Sequence, residues 1–290
     1  MSLKDKTIFI TGASRGIGFA IAERAARDGA NVVVAAKSVE PHRYLPGTIY
    51  TAAEQIRAAG GRALPVFLDV RSEESIESAV AAAIAEFGGI DICVNNASAV
   101  SRSLVGETTA KNFDLMHQVN GRGAFLVSKA CLPHLRKAAN PHILTLAPPL
   151  RAEPTWFGGH VAYTMTKMMM SMCVIGMSEE FRADGIAVNA LWPRFGVATA
   201  AIEYAFADKE ELRRCRKPEI MGEAARAIFL RDSRACTGNF FIDDIVLHQE
   251  GVRDFDVFRV DPTAPSRLGL FVPEDMPPPP EVDIAGAWRP

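Results

Sequence analysis

Short apolar runs alternate with longer amphipathic stretches along most of this 290-residue chain. A strand of a parallel sheet is buried on both faces and therefore reads as a continuous apolar run, as residues 32–35 (Val-Val-Val-Ala) do. Alternation of such runs with helix-length stretches is typical of a parallel sheet joined by crossover helices. The candidate strands are residues 7–10, 32–36, 63–68, 92–94, 143–147, 187–191 and 240–242, and the clearest helical segments are residues 18–27, 52–59, 74–87 and 163–183.

The composition excludes several classes of protein. Thirty-two Lys and Arg against thirty-four Asp and Glu leave a formal charge of −2, so nucleic acid is not an expected partner. The five cysteines are scattered and form no CxxC pair, which argues against a disulfide framework or a zinc site. The polar N-terminus and the lack of a long apolar stretch predict neither a signal peptide nor membrane insertion. We expect a cytoplasmic protein without a bound metal.

A glycine-rich turn follows the first candidate strand. Gly12, Gly16 and Gly18 occupy the turn into the first helix, where a backbone without side chains can approach a pyrophosphate at a helix N-terminus. The spacing is GxxxGxG rather than GxGxxG, so an ordinary turn is an equal alternative on this evidence alone. Three later features agree with a nucleotide site: Asp69 after the third strand, Asn95-Asn96-Ala97 after the fourth, and Tyr163 one helical turn before Lys167.

These patterns predict a fold. Right-handed crossovers and a nucleotide site where the strand order reverses leave an α/β, Rossmann-type, doubly wound sheet of seven parallel strands in the order 3-2-1-4-5-6-7. We expect one domain over residues 1–250. Eight of the eighteen prolines lie from Pro262 onward, and no periodic pattern remains there. Residues 251–290 are therefore predicted to form a proline-rich C-terminal tail.

The motifs together resemble those of the short-chain dehydrogenase/reductase family. The resemblance covers residues 4–247, and it implies an oxidoreductase that interconverts CH–OH and C=O groups on a small-molecule substrate with NAD(P). It also implies a homodimer or homotetramer, in which the methionine-rich helix after Tyr163 forms a subunit interface. The motifs that carry it are TGxxxGxG at 11–18, NNA at 95–97, Asn120, YxxxK at 163–167 and Asn189 through Pro193.

The resemblance assigns three catalytic residues. Tyr163 would protonate the substrate oxygen during reduction and act as the base in oxidation. A phenol has a pKa of about 10, and the Lys167 ammonium would lower it while also binding the nicotinamide ribose. Asn120 would hold a water molecule beside Lys167. Without the other motifs, a Tyr/Lys pair at this spacing would be read as a solvated helix face.

The end of the second strand predicts the cofactor. A carboxylate there would bind the ribose 2′-OH of NAD, but the chain has Ala36 followed by Lys37. Lys37 and Arg15 can face a 2′-phosphate, so NADP(H) is expected, although both cations could be ordinary surface residues. Residues 42–44 either reach that phosphate or form a solvated loop. The cofactor contacts implied by the resemblance are Gly12, Ser14, Arg15, Gly16, Ile17, Gly18, Lys37, Asp69, Val70, Asn96, Tyr163, Lys167 and Thr199.

Two positions depart from the family pattern. The serine that follows the fifth strand is replaced by Ala147 and Pro148, and loss of one such hydrogen-bond donor typically costs about 10²–10³ in rate. Thr145 lies too far back along the strand to replace it, whereas Ser98 and His160 remain candidates. After the sixth strand, Arg194 stands where the family has glycine, which leaves the shape of that loop open.

Two functions are compatible with these residues. The first is an NADP-dependent oxidoreductase, acting on an apolar or lipid-like substrate as short phrases shared with one group of the family imply. The second is an NADP-binding protein with weak or no catalysis, because the serine is missing. Turnover of a panel of carbonyls with NADPH separates them, since both would bind the cofactor.

Overall fold

The fold is that of a computed structural model, which describes residues 2–42, 45–200, 202, 209–284 and 287. Seven strands form one sheet in the order β3-β2-β1-β4-β5-β6-β7. Every pairing between neighbouring strands is parallel, which confirms the predicted α/β topology. The strands are β1 (Thr7–Thr11), β2 (Asn31–Ala36), β3 (Arg62–Phe67), β4 (Ile92–Asn95), β5 (His142–Thr145), β6 (Ala187–Trp192) and β7 (Phe240–Ile242).

Helices connect the strands and cover both faces of the sheet. A π-helical turn (Gln118–Arg122) joins α4 to α5, and a short 3₁₀ turn (Asp256–Phe258) follows α10. Within the described residues, no helix is both long and apolar enough to cross a membrane. The helices are α1 (Gly16–Arg27), α2 (Ile49–Ala58), α3 (Glu73–Phe87), α4 (Ala110–His117), α5 (Gly123–Leu135), α6 (Pro154–Phe157), α7 (Val161–Glu180), α8 (Lys209–Arg213), α9 (Glu219–Phe229) and α10 (Asp243–Gln249).

The core consists of two layers separated by the sheet. Successive side chains of a strand point to opposite faces, so Ile8 and Ile10 pack with α1, α2, α9 and α10, whereas Phe9 packs with α3, α5 and α7. Of the methionines predicted to serve as packing, Met170 and Met177 of α7 are buried in the second layer. Met172 of the same helix is exposed.

Strand β5 ends earlier than predicted. The sequence suggests a strand over residues 143–147, but β5 stops at Thr145. Leu146 still donates its N–H to Asn95 O at 3.0 Å, whereas Ala147 turns back and donates to Thr145 O at 2.9 Å. Pro148 and Pro149 follow and have no N–H to continue the ladder. The chain therefore leaves the sheet at the point where the family has its serine.

The chain after α10 runs over the domain with little regular secondary structure. Phe255 and Val282 are buried in the same core layer as α9 and α10. Two isolated antiparallel bridges join this segment to the domain: Phe195, in the loop after β6, pairs with Leu268, and Arg216, between α8 and α9, pairs with Arg259. The segment therefore contributes to the core and lies next to the carboxyl end of β6.

Candidate active site

A cleft of about 1100 Å³ opens at the carboxyl ends of the central strands. Twelve of the predicted cofactor-binding and catalytic residues line this cleft, and they extend from the turn after β1 to the loop after β6. Asn120 and Gly18 are buried and do not line it. The predicted residues that line it are Gly12, Ser14, Arg15, Gly16, Ile17, Lys37, Asp69, Val70, Asn96, Tyr163, Lys167 and Thr199.

The glycine-rich turn is held against the end of β4. Asn96 Nδ2 donates to Thr11 O at 2.9 Å and to Gly12 O at 3.1 Å. A Cβ atom on Gly18 would lie 2.4 Å from Asn96 Nδ2, and Gly12 has a φ of +68°, so neither position accommodates a larger residue without strain. This close approach leaves an open backbone cradle at the N-terminus of α1, which fits the pyrophosphate of a dinucleotide.

Two cations lie where β2 enters the cleft. Arg15 Nη2 donates to Ser38 Oγ at 2.9 Å and to Gly47 O at 2.8 Å. Its Nε is buried and has no hydrogen-bond partner among the described residues. Lys37 Nζ lies 3.0 Å from Asp69 Oδ2. An unsatisfied guanidinium nitrogen fits an anionic group of the cofactor.

Asp69 is the acidic residue of this part of the cleft. It follows β3 rather than β2, and it accepts hydrogen bonds from Arg71 Nη2 at 2.6 Å and from Lys37. The hydrogen bonds from Arg71, with a smaller contribution from Lys37, hold the pKa of Asp69 well below its ordinary value. The carboxylate is thus charged and already paired. Of residues 42–44, Arg43 and Tyr44 lie outside the described residues.

Tyr163 and Lys167 lie on the first turns of α7. Tyr163 is 7% exposed, and burial raises its pKa while Arg102 opposes the rise. The pKa of Tyr163 thus shifts in the direction opposite to the predicted one, and burial is the main cause. Lys167 Nζ donates to Leu146 O at 3.0 Å, and burial lowers its own pKa to about 7.

The Asn120 side chain links the loop after β4 to α7 by hydrogen bonds. Its Oδ1 accepts from Ala99 N at 2.7 Å, and its Nδ2 donates to Ala99 O at 3.0 Å and to Thr166 Oγ1 at 2.8 Å. Thr166 in turn donates to Tyr163 O at 2.8 Å. The side chain of Asn120 thus binds protein groups rather than Lys167. Sequence reasoning missed Thr166, for which the only signal was its position inside the YxxxK motif.

The place of the missing serine is closed by apolar residues. Ala147 is fully buried, and Pro148 O accepts from Ser171 Oγ at 2.7 Å. Of the two candidate substitutes, Ser98 lines the cleft, whereas His160 lies at the start of α7 with its ring centroid 6.3 Å from that of Tyr163.

His160 has a defined tautomer in this setting. Its Nδ1 lies 3.1 Å from Gly158 O, and because a carbonyl only accepts, Nδ1 carries the proton. Burial, and to a lesser extent Arg102, lowers the pKa of His160 and favours the neutral ring. Its Nε2 is then a buried acceptor without a partner among the described residues. Neutral His160 can accept a hydrogen bond in this region but cannot donate one through Nε2.

Arg194 gives the loop after β6 its shape. Its side chain is buried and forms a two-pronged ion pair with Asp244 of α10, with Nη2 donating to Oδ1 at 3.0 Å and Nε donating to Oδ2. Its backbone N–H donates to Asp243 Oδ1 at 3.0 Å, and its Nη1 donates to Met276 O at 2.9 Å. One side chain thus joins β6, α10 and the C-terminal segment.

Phe271 was not predicted as a site residue. It lies in the C-terminal segment, is 3% exposed, and places its ring centroid 6.2 Å from that of Tyr163. It also lines a second cavity, of about 580 Å³, beside the cofactor cleft. No signal in the proline-rich sequence pointed to this contact, because it depends on how the segment folds back.

Comparison with known proteins agrees with this geometry. A family model described as short chain dehydrogenase matches residues 6–210. A relative from Danio rerio named "Hydroxysteroid dehydrogenase-like protein 2" is 55% identical over 273 residues, which are 93% of this chain and 65% of that protein. The protein of the same name from Homo sapiens is 52% identical over 268 residues, which are 92% of this chain and 63% of that protein. The chain thus spans less than two thirds of the length of these relatives.

Solved structures show the same fold over the whole sheet. A short chain dehydrogenase from Mycobacterium thermoresistibile is 48% identical with a TM-score of 0.90, covering 96% of this chain and 98% of that one. A candidate dehydrogenase from Xanthomonas campestris is 51% identical with a TM-score of 0.91, covering 94% of this chain and 100% of that one. We conclude that this chain belongs to the short-chain dehydrogenase family of NAD(P)-binding oxidoreductases.

Proposed function

We propose that the protein is an NADP-dependent oxidoreductase that interconverts a carbonyl and a secondary alcohol on an apolar substrate. The observation that carries this proposal is that Tyr163 and Lys167 line the same cleft as the glycine-rich cradle. A proton donor and a cofactor site in one cleft are what carbonyl reduction needs. Leu115, Val119 and Trp192 also line the cleft and support an apolar substrate.

Tyr163 is the proposed proton donor. When bound, the nicotinamide supplies the hydride for reduction and accepts it in oxidation. The Tyr163 hydroxyl is protonated at neutral pH, as the acid in reduction must be, but burial raises its pKa and makes it a weaker proton donor than a free phenol. The oxidative direction requires a lower pKa, and a protonated Lys167 on the next turn of α7 is the group that would supply the stabilising charge.

The preference for NADP rests on Arg15 and Lys37. Both line the cleft at the end of β2, and the buried Nε of Arg15 lacks a partner among the described residues. A 2′-phosphate would interact with the guanidinium of Arg15 and the ammonium of Lys37. Asp69 stands beside Lys37 but is already paired with two cations, which weakens its repulsion of a phosphate.

The second candidate function is NADP binding with weak or no catalysis. Ala147 and Pro148 supply no hydroxyl, and neutral His160 cannot take over as a donor through Nε2. Of the two candidates to replace the missing serine, only Ser98 remains, and it is exposed. A turnover assay with NADPH and a panel of aldehydes and ketones distinguishes the two functions, since both proposals require cofactor binding.

We also propose that the protein forms a homodimer or homotetramer through α5 and α7. Phe125 of α5 and Met172 and Ile175 of α7 are exposed apolar residues. A second copy of the chain would cover these side chains and remove their apolar surface from water.

Replacement of Tyr163 by phenylalanine tests its role as the acid. Tyr163→Phe should lower the turnover rate by about 10²–10⁴, the usual contribution of a positioned acid, and leave the Kd for NADPH within severalfold. Steady-state rates and a fluorescence titration with NADPH measure the two effects. A variant that keeps the parent's rate would show that Tyr163 is not the acid.

Cofactor selectivity tests the role of Lys37. NADPH should bind more tightly than NADH by about 1–3 kcal/mol, because the 2′-phosphate gains charge-assisted contacts. Lys37→Glu should shrink or reverse this difference, whereas Lys4→Glu, an equal charge change at an exposed position outside the cleft, should not. Calorimetric titration of both cofactors measures it. Equal affinities in the unmodified protein would rule out the assignment of NADP.

Restoring a hydroxyl tests whether the missing serine limits the reaction. Ala147→Ser or Pro148→Ser should raise the single-turnover rate with saturating NADPH, by up to about 10²–10³ if the new oxygen reaches the substrate. The same changes made in Tyr163→Phe should give no gain and serve as the control. If neither change accelerates a substrate that the parent already reduces, another group supplies the donor, and Ser98→Ala is the next variant.

A further inference from the structure

The segment around Phe271 lies directly on the chain that leaves β6. Gly269 N donates to Arg194 O at 2.7 Å, and Trp192 Nε1 donates to Leu270 O at 2.6 Å. Trp192 and Lys167 both line the cofactor cleft, and the Lys167 ammonium lies 5.4 Å from the centre of the Trp192 ring. The backbone beside Phe271 is thus tied to a wall of the cofactor cleft.

Arg194 holds the other end of this segment. Its guanidinium donates to Met276 O at 2.9 Å and to Pro277 O at 3.3 Å, while Asp244 balances its charge. Arg194 is 2% exposed, so these bonds form away from water, where an unpaired charge would be strongly unfavourable. The segment is therefore fixed on both sides of Phe271.

The Phe271 side chain sits at the centre of an aromatic cluster. Its φ is +62°, a conformation that disfavours bulky L-residues, so the surrounding packing must hold it in place. The ring centroid lies 5.6 Å from Trp156, 5.7 Å from His160, 6.0 Å from Trp192 and 6.2 Å from Tyr163.

This ring stands between two cavities. Tyr163 lines the cofactor cleft but not the second cavity, and Phe271 lines the second cavity but not the cleft. Since the two rings pack together, Phe271 separates the Tyr163 side chain from about 580 Å³ of additional space. A shorter side chain at 271 would connect that space to the proposed reaction centre.

We propose that Phe271 is a specificity-determining residue that limits the size of one substituent on the substrate carbonyl. This inference rests on the proposed function, because it places the reacting oxygen at Tyr163. One substituent points toward the side of Tyr163 that the Phe271 ring closes and must be small, whereas the other extends into the open cleft. The favoured substrates are then apolar aldehydes and methyl ketones rather than ketones with two large substituents.

Two isomeric ketones test the proposal. The parent protein should reduce 2-heptanone, which has one methyl substituent, with a higher kcat/KM than 4-heptanone, which has two propyl groups. Phe271→Ala should raise the kcat/KM for 4-heptanone relative to 2-heptanone by about tenfold or more, as expected when a pocket gains room for a methylene or two. Phe271→Leu should give an intermediate ratio.

Phe255→Ala is the matched control. Phe255 lies in the same C-terminal segment and is also 3% exposed, but it packs in the core layer with α9 and α10, away from Tyr163. It should lose stability like Phe271→Ala and keep the parent's ratio of the two ketones. An unchanged ratio in Phe271→Ala that folds and binds NADPH would overturn the proposal.

A binding measurement separates this proposal from the proposed function. Calorimetric titration of 4-heptanone into the NADP⁺-saturated protein should show affinity about tenfold higher in Phe271→Ala than in the parent or in Phe255→Ala. If binding improves in this way but no variant reduces either ketone, Phe271 does limit substrate size and the proposed reaction is wrong. If the affinity for 4-heptanone is the same in all three proteins, Phe271 does not limit substrate size.

Discussion

The buried ion pair between Arg194 and Asp244 is the interaction on which the substrate side of the site depends. A guanidinium removed from water needs a geometrically matched carboxylate and further acceptors, and Asp244 together with Met276 O provides them. Because these acceptors lie on α10 and on the C-terminal segment, satisfying one charge fixes two parts of the chain against β6. Glycine at this position could not form any of these side-chain contacts.

A second constraint shapes the cofactor side. Thr11 Oγ1 donates to Val94 O and accepts from the backbone N–H groups of Asn96 and Ala97, so β1 and β4 are joined where the strand order reverses. Asn96 then occupies the space that a side chain on Gly18 would need. In our proposal, the cleft accommodates both a dinucleotide and a small carbonyl.

The fold could be predicted because its signals are local and repeated. Continuous apolar runs such as residues 32–35 mark buried parallel strands, and the crossover rule then fixes their order. The early end of β5 shows the limit of this approach. Residues 143–147 are apolar enough for a longer strand, but the two prolines that follow remove the backbone donors that would extend it.

The site was only partly predictable for a different reason. Gly12 and Asn96 follow strand ends and Tyr163 lies on the first turn of α7, and all three line one cleft, as the topology predicts. The environment of Tyr163 depends instead on Phe271, more than a hundred residues later in a segment without periodicity. The direction of its pKa shift followed from that burial, which the spacing of Tyr163 and Lys167 could not reveal.

The cofactor cradle and Tyr163 share one cleft, and the C-terminal segment packs behind Tyr163 and Trp192. Hydrogen–deuterium exchange with and without NADPH tests both parts at once. The amides of Gly196 and Gly269, which donate to Arg267 O and Arg194 O, should exchange slowly in the free protein, and NADPH should slow exchange in residues 12–18. Exchange of residues 267–271 at the rate of an unstructured chain, or no effect of NADPH on residues 12–18, would contradict the account.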